Sequence, residues 1–231
     1  FFGENRLYVI RDVLTKAYYI SEKNLTVKFP LSGEERNSYV EKYNKEHQKM
    51  VSDNFYYKTF NLQNRDRKIK IALMTTMFDR YELTEFVFFY YKDLIRKLYK
   101  DMDIKMFVAG SEGASSRDLA NKYDIEYIEV ENFPLSQKHN KVMELTRNWN
   151  PDGVVLIGSD DLLSHNIFYY YDNYVKSDKS DPTGFLDAYF LWSNFFGYWE
   201  GYTNHRKGES IGGGRFYPKK ILDLFDWRIW G

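Results

Sequence analysis

The sequence predicts an α/β protein with a mostly parallel central sheet and helices on both faces of that sheet. Two observations lead to this prediction. From Lys68 onward, apolar runs of strand length alternate with amphipathic stretches of helix length, and this order is typical of β-α-β units that build a parallel sheet. In addition, the run from Val154 to Ile157 is apolar and mostly β-branched, as expected of a strand that is buried on both faces.

The first 64 residues differ in texture from the rest, and we interpret them as an N-terminal appendage of unknown role before a larger domain over residues 65–231. Short strands are predicted at Leu7 to Ile10 and at Thr26 to Phe29. A capping box at Ser32-Gly33-Glu34-Glu35 predicts the start of a helix.

The repeating part of the chain predicts four strands and the helices that connect them. The predicted strands are 69–74, 104–109, 125–130 and 154–157, and the predicted helices are 83–99, 115–122, 136–148 and 166–176. Ser115, Ser116 and Ser136 are interpreted as helix caps. After Asp161 the order changes: two aromatic segments, 185–192 and 198–203, are expected to pair as an antiparallel hairpin, and Pro218 is expected to open a short final helix.

Composition excludes several classes of function. Lys and Arg together number 33, as do Asp and Glu, so there is no electrostatic basis for non-specific nucleic-acid binding. The chain has no cysteine, which excludes disulfides, thiolate zinc sites and a cysteine nucleophile, and we expect a cytoplasmic location. No apolar run approaches the ~18 residues of a membrane span, so no transmembrane segment is expected. The oligomeric state is left open.

The adjacent carboxylates of Asp160 and Asp161 directly follow the apolar run that ends at Ile157. Open α/β sheets bind ligands beyond the carboxyl ends of their strands. Two neighbouring carboxylates repel each other unless a cation lies between them, and Mg²⁺ or Mn²⁺ prefers oxygen ligands. The alternative is a helix cap, in which one Asp caps and the other is solvated.

Three further segments could contribute to the same crevice. Asp79 and Arg80 follow the first strand and could hold a ribose hydroxyl and a phosphate, or form a surface salt bridge or cap. Lys138 lies in the first turn of a predicted helix, where an anion is stabilised, although a solvated lysine is common there. The glycines 212–214 before Arg215 suit close approach of backbone to a ligand, or else a flexible turn.

Residues 68–231 resemble the GT-A-type glycosyltransferases, close to the family-2-like group. Three segments carry the resemblance: Asn132–Asn140, Leu156–Asp161 and Gly208–Arg215. The resemblance implies a Rossmann-like GT-A fold for a catalytic domain over 65–231, a nucleoside-diphosphate sugar as donor, and Mn²⁺ or Mg²⁺. The N-terminal 64 residues lie outside it.

The resemblance also implies roles for particular residues. Asp160 and Asp161 would be the metal ligands at the family's D-x-D position, where Gly158 replaces the first Asp. Residues implied to lie at the donor are Thr75, Asp79 and Arg80 near the nucleoside, Lys138 and Asn140 near the ribose or diphosphate, Ser159 beside the acidic pair, and Gly213 and Arg215 at the donor–acceptor boundary. Trp192, Trp199 and Tyr202 would stack on a sugar or acceptor, or else belong to the core.

A catalytic carboxylate in this family usually follows the segment that matches Phe225–Trp230, and the sequence stops at Gly231. We therefore expect the catalytic domain to be incomplete at its C-terminal end. Two alternatives stay open for the base: it lies beyond Gly231, or it is one of the two candidates within the sequence, Asp226 and Glu209.

The predicted function is metal-dependent, inverting transfer of a sugar from a nucleoside-diphosphate sugar to an acceptor hydroxyl. The sugar, the base and the acceptor (glycan, protein or nucleic acid) are not identified. One alternative is a sugar-phosphate nucleotidyltransferase, which would usually carry a glycine-rich loop after the first strand, whereas Thr75-Thr76-Met77-Phe78-Asp79 has no glycine. The other alternative is a non-catalytic glycan-binding or structural module.

Overall fold

A computed structural model of the protein describes residues 7–10, 67–191, 196–199, 201–202 and 206–231. The predicted strand at 26–29, the predicted helix start at Ser32 and the aromatic candidate Trp192 lie outside the described residues. In the described ranges the strands are β1 (Leu7–Ile10), β2 (Ile69–Thr76), β3 (Met102–Gly110), β4 (Glu126–Glu129), β5 (Gly153–Leu156), β6 (Asp161–Leu163), β7 (Ala188–Leu191), β8 (Phe196–Trp199) and β9 (Arg215–Pro218). The helices are α1 (Tyr81–Leu98), α2 (Ala114–Lys122), α3 (Leu135–Asn148), α4 (Asn166–Lys176) and α5 (Lys219–Leu224).

The central sheet has five strands in the order β4-β3-β2-β5-β9. The first four are mutually parallel, and β9 is antiparallel to β5. This confirms the predicted α/β class with a mostly parallel sheet. Because β2 to β5 run in the same direction, their final residues lie along one side of the sheet, which we call the carboxyl edge. The opposite side, where these strands begin, is the amino edge.

Helices cover both faces of this sheet, as predicted. Alternate residues of β2 are buried on opposite faces because side chains of a strand point to the two faces in turn. Ile71 and Leu73 belong to the core that contains α1, whereas Ala72 and Met74 belong to the core that contains Val142 of α3.

A second sheet has the order β6-β1-β7-β8. The expected hairpin is confirmed, since β7 pairs antiparallel with β8. The strand predicted at residues 7–10 is also confirmed, and it lies between β6, to which it is antiparallel, and β7, to which it is parallel. The sequence did not predict β6 and β9, because three and four residues are too few to show a periodic pattern.

The predicted serine caps are wrong. α2 begins after Gly113 and α3 begins after Pro134, and neither start has a side-chain cap hydrogen bond. At α2 the Gly113 N–H instead donates to Glu129 Oε1 at 2.9 Å. A carboxylate from a neighbouring strand thus satisfies the helix start, and such a partner is not visible in local sequence. Within the described part of the chain, no helix is both long enough and apolar enough to cross a bilayer.

Candidate functional site

The acidic pair lies just beyond the end of β5, at the carboxyl edge, and both residues are buried. The Gly158 N–H donates to Asp161 Oδ2 at 2.7 Å. A Cβ on residue 158 would stand 2.9 Å from Asp160 Oδ1 and 2.9 Å from Asp161 Oδ2. Both carboxylates therefore converge on the position that the glycine leaves empty. A side chain at position 158 would therefore displace at least one of the two carboxylates.

A guanidinium offsets part of the charge of this pair. Arg80 Nη1 lies 3.2 Å from Asp160 Oδ2, and Arg80 Nη2 donates to Ser159 Oγ at 2.9 Å. The arginine precedes α1 and its side chain is half exposed. Asp79 contributes through its backbone: its N–H donates to Glu112 Oε2 at 3.0 Å, and its φ is 43°. The loop after β2 is thereby joined through Arg80 to the loop that follows β5 and through Asp79 to the loop that follows β3.

The acidic pair offers the oxygen ligands that a hard divalent cation prefers. Such a cation is held by one or two carboxylates together with the phosphates of a substrate, and Asp160 and Asp161 supply two converging carboxylates. Among the described residues there is no group of three or more His, Cys, Asp or Glu side chains that could hold a metal ion. The protein would therefore supply two carboxylates, with the other ligands coming from phosphate or water.

Two tyrosines of α1 fix the backbone that carries Asp161. The buried Tyr91 hydroxyl donates to the Asp161 carbonyl and accepts from the Leu163 N–H, both at 3.1 Å. Burial raises the pKa of Tyr91 well above its ordinary value, so the hydroxyl keeps the proton that it donates. The Tyr90 hydroxyl donates to the Leu163 carbonyl at 2.6 Å. Sequence reasoning missed both residues because they read only as part of an apolar helix face.

The glycine turn reaches the same edge. The Gly214 N–H donates to the Leu156 carbonyl, the last residue of β5, at 2.7 Å. Gly214 has a positive φ of 70°, and a Cβ there would stand 2.5 Å from the Phe185 ring, so only glycine fits. Gly213 is half-buried in the same turn. Arg215 donates from Nε to Ser210 Oγ at 3.0 Å, which folds its side chain over the preceding loop.

Lys138 is buried at the start of α3, with 1% of its surface exposed. Its ammonium donates to the Met77 carbonyl at 2.7 Å, to Ser111 Oγ, and to Asn132 Oδ1 at 3.1 Å. Burial lowers the pKa of Lys138, and the carboxylates of Glu112 and Glu129 oppose that change. The side chain is thus fully engaged inside the protein.

Two other residues that the resemblance places at the donor have different surroundings. Thr75 is completely buried within β2. Asn140 holds the C-terminal segment: its Nδ2 donates to the Trp230 carbonyl at 2.6 Å, and its Oδ1 accepts from the Trp230 N–H at 3.3 Å. Within the described residues, the hydrogen bonds of Thr75, Lys138 and Asn140 go to partners other than Arg80, Ser159 and Asp160.

The two candidate bases lie in different surroundings. Glu209 is exposed in the loop before the glycine turn and pairs with Arg206 at 2.8 Å. Asp226 pairs at 2.7 Å with Arg147, in the last turn of α3. That helix end leads directly into β5, so Asp226 lies at the amino edge, away from Asp160.

A pair of aromatic rings lies beside Arg206, the residue that pairs with Glu209. Trp199 meets Tyr202 edge to face at 4.9 Å between ring centroids. The Arg206 guanidinium lies 3.9 Å from the centroid of the Tyr202 ring, a cation–π distance. Trp199 and Tyr202 are both half-buried. Each ring packs against the core and is also partly exposed to solvent.

Comparison with known proteins gives little beyond this geometry. No family model matches the chain. No curated protein matches it either. Among solved structures, it is similar to CMP:2-keto-3-deoxy-manno-octonic acid synthetase complexed with CTP, with a TM-score of 0.41 and 10% sequence identity over 69% of this chain and 78% of that chain. A likeness at this level supports no conclusion about function.

Proposed function

We propose that the protein is a metal-dependent glycosyltransferase of the GT-A type, which moves a sugar from a nucleoside-diphosphate sugar to an acceptor hydroxyl with inversion. The observation that carries the proposal is that the carboxylates of Asp160 and Asp161 lie next to each other and are buried at the carboxyl edge. This is the side of an open α/β sheet at which ligands bind. The three segments that resemble the family add to this support, and a cytoplasmic location stays a prediction.

Each group at this edge would have a distinct task. Asp160 and Asp161 would hold Mn²⁺ or Mg²⁺, which would offset the charge of the departing diphosphate. Arg80 would orient the Asp160 carboxylate through the 3.2 Å contact. The turn that contains Gly214 would bring backbone close to the donor. Glu209, in the loop before that turn, is the candidate base that would take the proton of the acceptor hydroxyl.

Nucleotide binding with and without metal tests the proposal. Calorimetric titration of UDP, GDP and TDP, each with and without Mn²⁺, is expected to show at least one nucleotide that binds about tenfold more tightly with Mn²⁺, a difference of about 1.4 kcal/mol. Asp160→Asn and Asp161→Asn remove a negative charge but keep an acceptor oxygen, so the fold is expected to persist while the metal effect disappears.

A matched control is Asp103→Asn, because Asp103 is exposed near the start of β3, at the amino edge. This variant is expected to keep the Mn²⁺ effect. If the wild-type protein binds all three nucleotides equally with and without Mn²⁺, or if Asp160→Asn keeps the full effect, the proposal is wrong.

Product analysis separates the transferase from the two alternatives. A glycosyltransferase releases UDP or GDP from the corresponding nucleotide sugar, whereas a nucleotidyltransferase releases pyrophosphate from a nucleoside triphosphate and a sugar phosphate. A non-catalytic module does neither.

One observation weighs against the nucleotidyltransferase. The loop after β2, where such enzymes usually have a glycine-rich phosphate loop, has no glycine. In this loop the Asp79 N–H donates to the Glu112 carboxylate, so an anion of the protein itself already occupies this backbone donor.

A further inference from the structure

One lysine connects three loops that leave the carboxyl edge. Lys138 donates to the Met77 carbonyl just after β2, to Ser111 just after β3, and to Asn132 in the segment between β4 and α3. A lysine ammonium has three N–H donors, so these three acceptors use all of them. With 1% of the residue exposed, a diphosphate would reach the ammonium only if the loops separated.

The loop after β2 depends on these contacts for its position. The Met77 N–H donates to the Ala109 carbonyl of β3 at 2.9 Å, and the Asp79 N–H donates to Glu112. Lys138 adds a third attachment through the Met77 carbonyl. The loop ends at Arg80, which reaches across to Ser159 and Asp160.

We infer that Lys138 is a positioning residue, which holds the three loops of the carboxyl edge together so that Arg80 meets Asp160, and that it does not contact the diphosphate. A buried ammonium suits this task because it satisfies three acceptors from separate loops at one point. The part of the inference that concerns nucleotide binding rests on the proposed function. The part that concerns the loops does not.

Hydrogen exchange of the ligand-free protein tests the loop part directly. Lys138→Met keeps the side chain as far as its ε position but removes the ammonium and all three donors. It is expected to speed amide exchange at least tenfold in residues 77–80, 111–113 and 131–133, with β2 and β5 unchanged. The matched control is Lys141→Met on the same helix, since Lys141 is exposed and pairs with Glu144, one turn further along that helix. Unchanged exchange in these loops of Lys138→Met would overturn the inference.

Diphosphate binding with and without Mn²⁺ distinguishes positioning from contact. If Lys138 positions the loops so that Arg80 meets Asp160, Lys138→Met weakens UDP or GDP binding in the presence of Mn²⁺ and leaves their metal-free binding unchanged. If it contacts the diphosphate, Lys138→Met also weakens metal-free UDP or GDP binding, which would overturn the inference. If the wild-type protein binds neither nucleotide, the proposed function fails, and the exchange measurement still decides the role of Lys138 in the loops.

Two milder variants cover the case in which Lys138→Met does not fold. Ser111→Ala and Asn132→Ala each remove one acceptor and leave the lysine in place. Each is expected to speed exchange in its own loop and in residues 77–80, because the ammonium loses one of its fixed points. If neither variant changes exchange in residues 77–80, the inference is wrong.

Discussion

The spacing of single atoms decides what the acidic pair can do. Asp160 Oδ1 and Asp161 Oδ2 approach the same empty position beside Gly158, and the Gly158 N–H fixes one of them. The sequence placed both carboxylates at the end of a buried strand. It also left open that one of them caps a helix, but Asp161 begins β6, and its contact with the Gly158 N–H closes a turn instead. That contact involves one of the two oxygens of the Asp161 carboxylate, so it is compatible with the proposed metal ligation.

Gly158→Ala tests this spacing. The added Cβ would stand 2.9 Å from an oxygen of each carboxylate, so the two carboxylates must move apart. We expect the free energy of unfolding to fall by about 1–3 kcal/mol. We also expect Mn²⁺ to enhance nucleotide binding less than in the wild type. Chemical denaturation and calorimetry measure the two effects. Gly212→Ala is the stability control, because a Cβ there has no atom within 4 Å and is expected to change stability by less than about 0.5 kcal/mol. Equal stability of both variants with the wild type would contradict the prediction.

At the scale of elements, a strand from the N-terminal segment supports the backbone of the acidic pair. β1 is the inner strand between β6 and β7, and Val9 is paired with Asp161. The sequence predicted β1 from its apolar run but not its partners, because they lie more than 150 residues away along the chain. The division of the chain at residue 64 stays a prediction. Even so, residues 7–10 share a sheet with the larger part.

Val9→Pro tests the contribution of β1. Proline removes a backbone donor from an inner strand, where an unpaired carbonyl costs about 1–3 kcal/mol. We expect a lower melting temperature and faster amide exchange in Asp161–Leu163. Val9→Thr keeps the N–H and a β-branched side chain, and it serves as the control. Unchanged exchange in β6 of the proline variant would show that β6 does not depend on β1.

At the scale of the whole molecule, the two edges of the central sheet have different contents. The carboxyl edge holds Asp160, Asp161, Arg80 and the turn at Gly214. The amino edge holds Asp226, paired with Arg147. From that point the C-terminal segment runs back along α3, since Trp230 bonds to Asn140 and its ring lies 4.8 Å from that of His139. Asp226 therefore lies away from the acidic pair, which the sequence, where Asp226 and Glu209 are both candidate bases, does not show.

Substitutions of Glu209 and of Asp226 test which of the two carboxylates is the base. Glu209→Gln is expected to lower turnover of a nucleotide sugar by about 10²–10⁴-fold, the range for loss of a general base, with little change in UDP or GDP binding. Asp226→Asn is expected to leave turnover intact and to lower stability by at most about 1 kcal/mol, because its ion pair with Arg147 is exposed. Steady-state kinetics and thermal unfolding measure both. Full turnover in Glu209→Gln would assign the base to another carboxylate.

Local patterns therefore determined the α/β class, the helix over residues 166–176 and the position of the acidic pair after a buried strand, because hydrophobic periodicity and strand length are properties of neighbouring residues. Only the tertiary structure decided the partner of each polar side chain. Lys138 meets Met77, Arg80 meets Asp160 and Asp226 meets Arg147 across 61, 80 and 79 residues of sequence. Such contacts depend on how the sheet orders its strands, and no local pattern contains that order.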